Sequence, residues 1–357
     1  MPRPTSLVTL EPRRVCLIKP SSLGDIVHAT PTFNALRDRW PSARFAWVVN
    51  RSLASLVHGL PGLDEVIPFD RQAAGRFPTG GRVLARTLAD LHRRRFDLTI
   101  DLQGLFRSAL LTVATAAPVR VGLADAREAA HLAYTHRIPV PSPPAHAVDR
   151  LLRVAAAFGA CCVAPRFAIP ATPDDHDWAS HLLRPLRRPR LILNIGARWT
   201  TKRWPPQHFA EVGRSAVEQR GASLIAVGAP EDRPLVDALK LALDPIPVLD
   251  LCGRTSLPRL AALAAACDLF LSNDTGPLHL AVAAGASTLA VFTCTDPRRT
   301  GPYSPSAAVV STRLPCAASC LKVCGHLSCM TELEPRRVWL AVQDQLDQAT
   351  HQASSAA

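Results

Sequence analysis

Aromatic residues are scarce in this sequence: Phe, Trp and Tyr together make up 5% of its 357 residues. Proteins that bind single-stranded nucleic acid stack bases on aromatic side chains, so this scarcity argues against that class. Lysine is scarce as well. Of 41 cationic residues, only four are lysines, namely Lys19, Lys202, Lys240 and Lys322. In a chain that otherwise uses Arg, a retained Lys indicates a position that needs a compact point charge.

Long apolar runs are also absent, since none approaches the roughly 20 residues that a membrane-spanning helix requires. The opening residues, MPRPTSLVTLEPRR, lack the apolar core of a signal peptide, so we expect a cytoplasmic protein. Without an export signal, the ten cysteines are expected to stay reduced. Six have apolar neighbours and are predicted to be core residues: Cys16, Cys161, Cys162, Cys252, Cys267 and Cys294.

Positive charge is concentrated in the first half of the chain. Residues 1–170 carry 22 Lys and Arg against 12 Asp and Glu, whereas residues 171–357 carry 19 against 17. The first half is therefore expected to meet the more anionic partner, which can be nucleic acid, an anionic membrane surface or a phosphorylated substrate. The alternative is a basic surface that serves solubility alone.

Strand and helix signals alternate along two stretches of the chain, and this predicts two parallel, doubly wound α/β domains. The domains are placed at 1–170 and 171–334. A helix and tail follow over 335–357, and packing of this helix back on the first domain is left open. Predicted strands are 14–18, 44–49, 65–69, 97–102, 190–195, 223–227, 247–250, 268–272 and 287–292. Residues 138–144 are expected to be a stiff extended segment, and 351–357 to be disordered.

The most informative segment is Asn273-Asp274-Thr275-Gly276-Pro277-Leu278-His279, which joins a predicted strand to a predicted helix. The first N–H groups of a helix lack internal partners, and the helix dipole favours negative charge there. Thr275 Oγ and the neighbouring N–H groups can therefore hold a phosphate. Asp274 suits sugar hydroxyls or positions the loop, and His279 has the alternative role of an internal cap or packing residue.

A second strand–turn–helix segment is Pro20-Ser21-Ser22-Leu23-Gly24-Asp25. Gly24 is expected to let the backbone turn tightly and approach a ligand. Asp25 is either a helix cap or a general base. The segment matches neither GxGxxG nor GxxxxGK[ST], which argues against dinucleotide oxidoreductases and P-loop NTPases.

Two further strand ends carry charged and polar residues. In residues 194–205, NIGARWTTKRWP, Lys202 can neutralise a diphosphate leaving group, or the segment is a basic surface loop. Residues 101–108 place Asp101, Gln103 and Arg107 at a strand end and the turn that follows it, where open α/β sheets bind ligands.

Four clustered cysteines, Cys316, Cys320, Cys324 and Cys329, lie near His326. They can be read as a zinc or iron–sulfur site, but their spacing does not match a double CxxC zinc site. Packed or weakly redox-active thiols are the alternative that this spacing favours.

Together these motifs resemble the ADP-heptose:lipopolysaccharide heptosyltransferases, glycosyltransferase family 9, over residues 14–340. That family has the GT-B fold, in which two Rossmann-like domains face each other across a cleft. The residues that carry the resemblance are KPSSLGDIVH at 19–28, DLQGLFRSA at 101–109, ARE at 126–128, TKRWP at 201–205, DTG at 274–276 with His279, and TDP at 295–297 with GPY at 301–303.

The resemblance implies inverting transfer of heptose from ADP-heptose to the inner core of lipopolysaccharide, such as Kdo-lipid A. It implies a monomeric, metal-independent enzyme at the inner face of the cytoplasmic membrane, with no nucleic acid partner. Asp25 would be the general base, and Lys202 would stabilise the departing ADP. The implied donor residues are Gly196, Thr200, Thr201, Glu231, Asp274, Thr275, Gly276 and His279. The implied acceptor residues are Ser22, Gly24, Gln103, Arg107 and Arg127.

The chain departs from the family at Ala197-Arg198, where a hydroxyl-rich turn is usual. Phosphate contacts there are expected instead from Gly196 N–H, Arg198, Thr200 or Thr201. Two alternatives stay open. One is a family 9 enzyme with another nucleotide-sugar donor or glycan acceptor. The other is a non-catalytic protein that binds nucleotide sugars or nucleic acid.

Overall fold

The structure is a computed structural model that describes residues 6–75, 80–140 and 145–355. The chain divides into two compact units, Met1–Pro170 and Ala171–Ala357. Each unit contains a six-stranded parallel sheet, and helices connect most of the successive strands.

The sheet of the first unit has the strand order β3-β2-β1-β4-β5-β6. The strands are β1 (Arg14–Ile18), β2 (Arg44–Asn50), β3 (Glu65–Phe69), β4 (Leu98–Asp101), β5 (Val119–Leu123) and β6 (His136–Ile138). The helices are α1 (Leu23–Arg39), α2 (Arg71–Ala74), α3 (Gly80–Arg93), α4 (Phe106–Ala114) and α5 (Ala147–Ala157). The chain order reverses between β1 and β4, which is the switch point where doubly wound sheets bind ligands.

The sheet of the second unit has the equivalent order, β12-β11-β10-β7-β8-β9. The strands are β7 (Arg190–Asn194), β8 (Ser223–Val227), β9 (Val248–Asp250), β10 (Leu269–Asn273), β11 (Thr288–Phe292) and β12 (Ala307–Ser311). The helices are α6 (Pro173–Leu183), α7 (Pro206–Arg220), α8 (Arg233–Leu243), α9 (Leu257–Ala265), α10 (Gly276–Ala283), α11 (Pro297–Thr300), α12 (Ser328–Glu332) and α13 (Pro335–Ser355).

The central strands are apolar because helices cover both faces of each sheet. All of β10 and β11 is buried, as is β1 after its first residue. Buried strands of parallel sheets form such continuous apolar runs. All nine strands predicted from the sequence are present, with ends that shift by at most one residue.

Seven strands and α-helices of the structure were not predicted from the sequence: β5, β6, β12, α2, α6, α11 and α12. Prolines near the start of α6 obscure this helix in the sequence. Pro173 occupies its first turn, where proline is tolerated because its missing N–H would have no partner. Thr172 caps this helix and pairs with Asp175 in a capping box.

Helix α13 packs on α7, β11 and β12 within the second unit, and it buries Val338, Trp339, Val342 and Leu346 there. Packing of this helix on the first unit stays a prediction. The disorder expected over 351–357 is wrong as far as Ser355, because the helix continues to that residue. Of the predicted stiff segment at 138–144, residues 141–144 lie outside the described residues.

All ten cysteines are free, as expected. Cys16, Cys252, Cys267 and Cys294 are buried, but the core prediction is wrong for Cys161, which is exposed, and for Cys162, which is only partly buried. Both follow the end of α5, where the chain runs over the surface. Among the described helices, none combines the length and apolarity that crossing a membrane would take.

Candidate functional site

In the first unit, the predicted site residues gather at the carboxyl ends of β1 and β4, which are neighbours in the sheet. The segments that follow these strands are tied together. Lys19 Nζ donates to Leu102 O at 3.0 Å, and Ser21 N–H donates to Gln103 Oε1 at 3.3 Å. The sheet thus brings Asp25 and Gln103, 78 positions apart in the sequence, to the same switch point.

Asp25 is the third residue of α1 and caps its first turn. Its Oδ2 accepts from Ser22 N–H at 2.9 Å and from Ser22 Oγ–H at 2.6 Å. Its Oδ1 lies 4.0 Å from Lys19 Nζ, and the side chain remains 48% exposed. The capping role is therefore real, and it leaves one carboxylate oxygen for chemistry.

Burial raises the pKa of Asp25, but the charge of Lys19, the hydrogen bonds from Ser22 and the nearby His28 outweigh it and bring the pKa to about 2. Asp25 is therefore an ionised carboxylate at neutral pH. Gly24 does not make the tight turn predicted for it, because it lies inside the first turn of α1, where it is buried.

A buried carboxylate, Asp101, organises the segment between β4 and α4. It is fully buried, and Oδ1 accepts from the N–H groups of Gln103 and Gly104 at 2.8 and 3.1 Å. Oδ2 accepts from Ser108 Oγ–H and Tyr134 O–H, each at 2.8 Å. Burial raises the pKa of Asp101 against these four hydrogen bonds. Its role is thus to hold the turn that carries Gln103.

Arg107 and Arg127 are exposed beside this turn. Arg127 N–H donates to Gly104 O at 3.0 Å, which fixes its backbone to the same turn. The pKa of Lys19 is lowered, mainly because the ammonium is buried. The negative charges of Asp25 and Asp101 oppose this shift, and the positive charges of Arg150 and Arg127 add to it. Lys19 and Arg150 are cations of this region that sequence reasoning did not assign to the site. The scarcity of lysine pointed to Lys19, whereas Arg150 carried no signal.

In the second unit, all predicted donor residues except Glu231 follow the carboxyl ends of β7 and β10, which pair in the sheet, whereas Glu231 follows β8. Two buried amides build this edge. Asn194 Nδ2 donates to Ser272 Oγ at 2.8 Å, and Asn273 Nδ2 donates to Ile195 O at 2.8 Å. Asn273 Oδ1 accepts from Trp204 N–H at 3.1 Å, so this side chain fixes both ends of the 195–204 loop.

Lys202 and Asp274, which the sequence placed in separate motifs, form an ion pair with 2.5 Å between Nζ and Oδ2. Their side chains are 18% and 4% exposed. Thr295 Oγ–H donates to the same Oδ2 at 2.5 Å, and His279 Nε2 lies 4.0 Å from Oδ1. Lys202 also lies over the Trp199 ring, 4.8 Å from its centre. Thr295 belongs to the TDP motif, but the sequence alone does not indicate that it contacts Asp274.

Helix α10 begins directly after Asp274. Thr275 is its N-cap residue in extended conformation and makes no capping hydrogen bond with its side chain. Thr275 and Gly276 are partly exposed. This helix start therefore offers the Thr275 hydroxyl and the Gly276 N–H beside a lysine, which is an arrangement that suits a phosphate.

The remaining predicted donor residues have different surroundings. Gly196 is packed so closely on Asp232 that a Cβ would lie 2.2 Å from the carboxylate. Thr201 is buried, and its hydroxyl donates to Leu321 O at 2.7 Å, so the structure directs it away from the surface. Thr200 and Glu231 are exposed.

The cysteine-rich segment adjoins the 195–204 loop through the hydrogen bond from Thr201 to Leu321 O, and Cys320 N–H donates to Cys294 O at 2.7 Å. Cys316 and Cys320 are exposed, Cys324 is partly buried and Cys329 is buried. Hydrogen bonds from the N–H groups of Leu327 and His326 lower the pKa of Cys324. Across the described residues, no three His, Cys, Asp or Glu side chains are grouped so that they could hold a metal ion.

Known proteins resemble this chain over most of its length. It is 29% identical over 354 residues to lipopolysaccharide heptosyltransferase 1 of Pseudomonas aeruginosa, which covers 91% of this chain and 96% of that protein. It is 27% identical over 308 residues to the lipopolysaccharide core heptosyltransferase OpsX of Haemophilus influenzae, covering 85% and 86%.

Solved structures share the fold. The E. coli heptosyltransferase WaaC with ADP matches with a TM-score of 0.72 and 25% identity, covering 93% of this chain and 99% of that one. A family 9 glycosyltransferase from Veillonella parvula matches with a TM-score of 0.81 and 22% identity, covering 96% and 100%. These matches confirm the GT-B fold that the resemblance of the motifs predicted.

The family model described as "Glycosyltransferase family 9 (heptosyltransferase)" matches residues 84–328. This range contains the β4–α4 turn, the Lys202 loop and the Asp274–Thr275–Gly276 helix start. Because the match extends over more than half of the sequence, the chain belongs to glycosyltransferase family 9.

Proposed function

We propose that this glycosyltransferase moves heptose from ADP-heptose to the inner core of lipopolysaccharide. The observation that carries the proposal is the similarity to heptosyltransferase 1 of P. aeruginosa over 91% of the chain. The geometry of the two sites supports it, because one presents cationic and helix N–H groups and the other presents an ionised carboxylate.

The second unit binds the donor in this proposal. The diphosphate of ADP-heptose lies at the start of α10, within reach of the Thr275 hydroxyl and the Gly276 N–H. Lys202 stabilises the negative charge that develops on the departing ADP. Asp274 holds the Lys202 ammonium in place through their ion pair. Positive charge for the leaving group thus comes from the protein, and the reaction proceeds without a metal.

The first unit binds the acceptor. Arg107 and Arg127 are exposed cations beside the Asp101 turn, and they suit the acidic sugars and phosphates of an inner-core acceptor. Gln103 and Ser22 supply further hydrogen-bonding groups at the same edge. These contacts place the acceptor hydroxyl beside Asp25 Oδ1.

Asp25 then acts as the general base of an inverting displacement. A pKa of about 2 makes it a weak base toward a free alcohol. The attacking oxygen becomes far more acidic as its bond to the sugar carbon forms, so the ionised carboxylate accepts the proton late in the reaction. The new C–O bond replaces the bond to ADP, and the configuration at the sugar carbon inverts.

The proposal places the enzyme in the cytoplasm as a monomer, attached peripherally to the inner membrane where its lipid-linked acceptor resides. It takes no nucleic acid. The excess of positive charge in residues 1–170 supports an anionic acceptor and an anionic membrane surface.

Donor specificity tests the proposal. Purified protein is titrated calorimetrically with ADP-heptose, a UDP sugar and a GDP sugar, and each donor is then assayed for transfer to a deacylated Kdo-lipid A acceptor. We expect tight binding and product with ADP-heptose alone. Tight binding of a UDP or GDP sugar, with no response to ADP-heptose, would contradict the donor and leave the family assignment intact.

A further inference from the structure

The outward face of α4 is apolar although it is exposed. Phe106 is 66% exposed and Val113 is 53% exposed. With the partly buried Leu110, they recur at positions i, i+4 and i+7, so they form one stripe along the helix. The inward face of α4, which includes Leu111, packs into the core. The stripe is therefore not required to hold the helix on the sheet.

Helix α3 lies beside α4 and exposes a cationic stripe. Leu84 and Leu88 of α3 pack on the same core cluster as Leu111 of α4, which places both helices on one face of the sheet. Arg82 and Arg86 are exposed and four positions apart, so they share one face of α3. No ion pair involves either arginine within the part of the chain that the structure describes.

The two stripes adjoin the acceptor turn. Phe106 is the first residue of α4 and immediately follows the segment that Asp101 organises. Its N–H donates to Glu128 Oε2 at 3.0 Å, next to Arg127 in the chain. A short helical turn at Ala130–Ala133 packs on α4. It contributes a further exposed apolar side chain, Leu132, which is 71% exposed.

We propose that the outer faces of α3 and α4 form a docking surface for a bilayer that carries anionic headgroups. Arg82 and Arg86 meet the headgroups, while Phe106 and Val113 enter the boundary between headgroups and acyl chains. Charge complementarity favours a lipid occupant, since an apolar stripe beside exposed arginines matches the layered chemistry of a bilayer surface. The biological role of the surface rests on the proposed function, because docking there would bring the acceptor turn to a lipid-linked acceptor.

The test uses full-length protein and sedimented vesicles of phosphatidylcholine, with and without phosphatidylglycerol. We expect binding to the anionic vesicles that weakens as salt is added, and little binding to phosphatidylcholine alone. The variants Arg82→Glu/Arg86→Glu and Phe106→Ser/Val113→Ser should each weaken binding by roughly tenfold or more.

Matched controls come from the second unit. Arg184→Glu/Arg187→Glu reverses two exposed arginines, and Leu241→Ser changes a side chain that is 81% exposed. Both should bind vesicles as the wild type does. Equal losses in the controls, or no binding of the wild type to anionic vesicles, would overturn the docking surface. Thermal unfolding of every variant checks that the fold is kept.

Transfer to a deacylated, water-soluble acceptor separates this proposal from the proposed function. The Arg82→Glu/Arg86→Glu variant should keep that activity while it loses vesicle binding. If the wild type catalyses transfer but does not bind the vesicles, the docking surface is overturned and the proposed function stands. Vesicle binding that follows the predicted pattern, without transfer, would overturn the proposed function alone.

Discussion

Removing the ammonium of Lys202 should destabilise the second unit as well as abolish catalysis. Lys202→Met leaves Asp274, only 4% exposed, without its cation. Breaking a buried ion pair by deleting one partner typically costs about 3–5 kcal/mol, since a charge is left buried and uncompensated. The hydroxyl of Thr295 still donates to Asp274. We therefore expect the lower end, about 3 kcal/mol.

Asp274→Asn should cost less, about 1–2 kcal/mol, because Lys202 keeps 18% exposure and the Trp199 face. The double variant Lys202→Met/Asp274→Asn removes both charges. Its destabilisation should fall short of the sum of the single variants by about 2 kcal/mol, which is the coupling expected for a contacting pair. Activity should not return with stability, because the cation proposed to stabilise the leaving ADP is still absent.

Differential scanning calorimetry measures the unfolding transitions, and transfer assays on the same samples measure activity. A loss of about 3 kcal/mol lowers the melting temperature of a unit this size by roughly 6–12 °C. Additive destabilisation in the double variant would refute the coupling of the pair. Recovery of activity in the double variant would refute the catalytic role of Lys202.

Three further predictions concern single residues. Tyr134→Phe removes one hydrogen-bond donor to buried Asp101 and should lower the free energy of unfolding by about 1.5–3 kcal/mol. The KM for the acceptor should rise more than the KM for the donor. Equal changes in the two KM values would contradict a role of Asp101 in holding the acceptor turn. Gly196→Ala places a Cβ against Asp232, so either the loop or the carboxylate must move. ADP binding, measured by calorimetry, should weaken at least tenfold. Unchanged affinity would show that this loop does not bind the donor. Because the pKa of Asp25 is lowered, its ionised form stabilises the fold at pH values above 3.8, and this contribution is lost as the pH falls through about 2. Ser22→Ala removes one hydrogen bond that lowers this pKa, so it should shift the acid limb of the kcat–pH profile to higher pH. An unmoved acid limb would exclude Asp25 as the group that sets it.

The sequence predicted both sheets because central parallel strands are apolar without interruption, and that pattern depends on local residues alone. It missed β5, whose Gly122 weakens the strand signal. That glycine is required because the Tyr134 ring lies where its Cβ would be, at 2.3 Å. This contact is tertiary, and no local pattern reveals it.

The site was predictable as a set of motifs but not as a set of contacts. Lys202 and Asp274 are 72 residues apart, and their ion pair forms because β7 and β10 are neighbours in the sheet. Thr201 appeared equivalent to Thr200 in sequence, yet its hydroxyl bonds to Leu321, which is distant in the chain. For Asp25, the sequence offered a helix cap and a general base as alternatives. The structure allows both roles at once, because Oδ2 caps the helix and Oδ1 does not take part in the cap.

The most direct test of the account is transfer from ADP-heptose to deacylated Kdo-lipid A by wild type and Asp25→Ala, measured side by side. The account predicts product from the wild type and a loss of about 100-fold or more in the variant, with ADP binding retained. Equal rates in the two proteins would mean that Asp25 serves only as the cap of α1. Absence of product from a wild type that binds ADP would contradict heptose transfer to this acceptor.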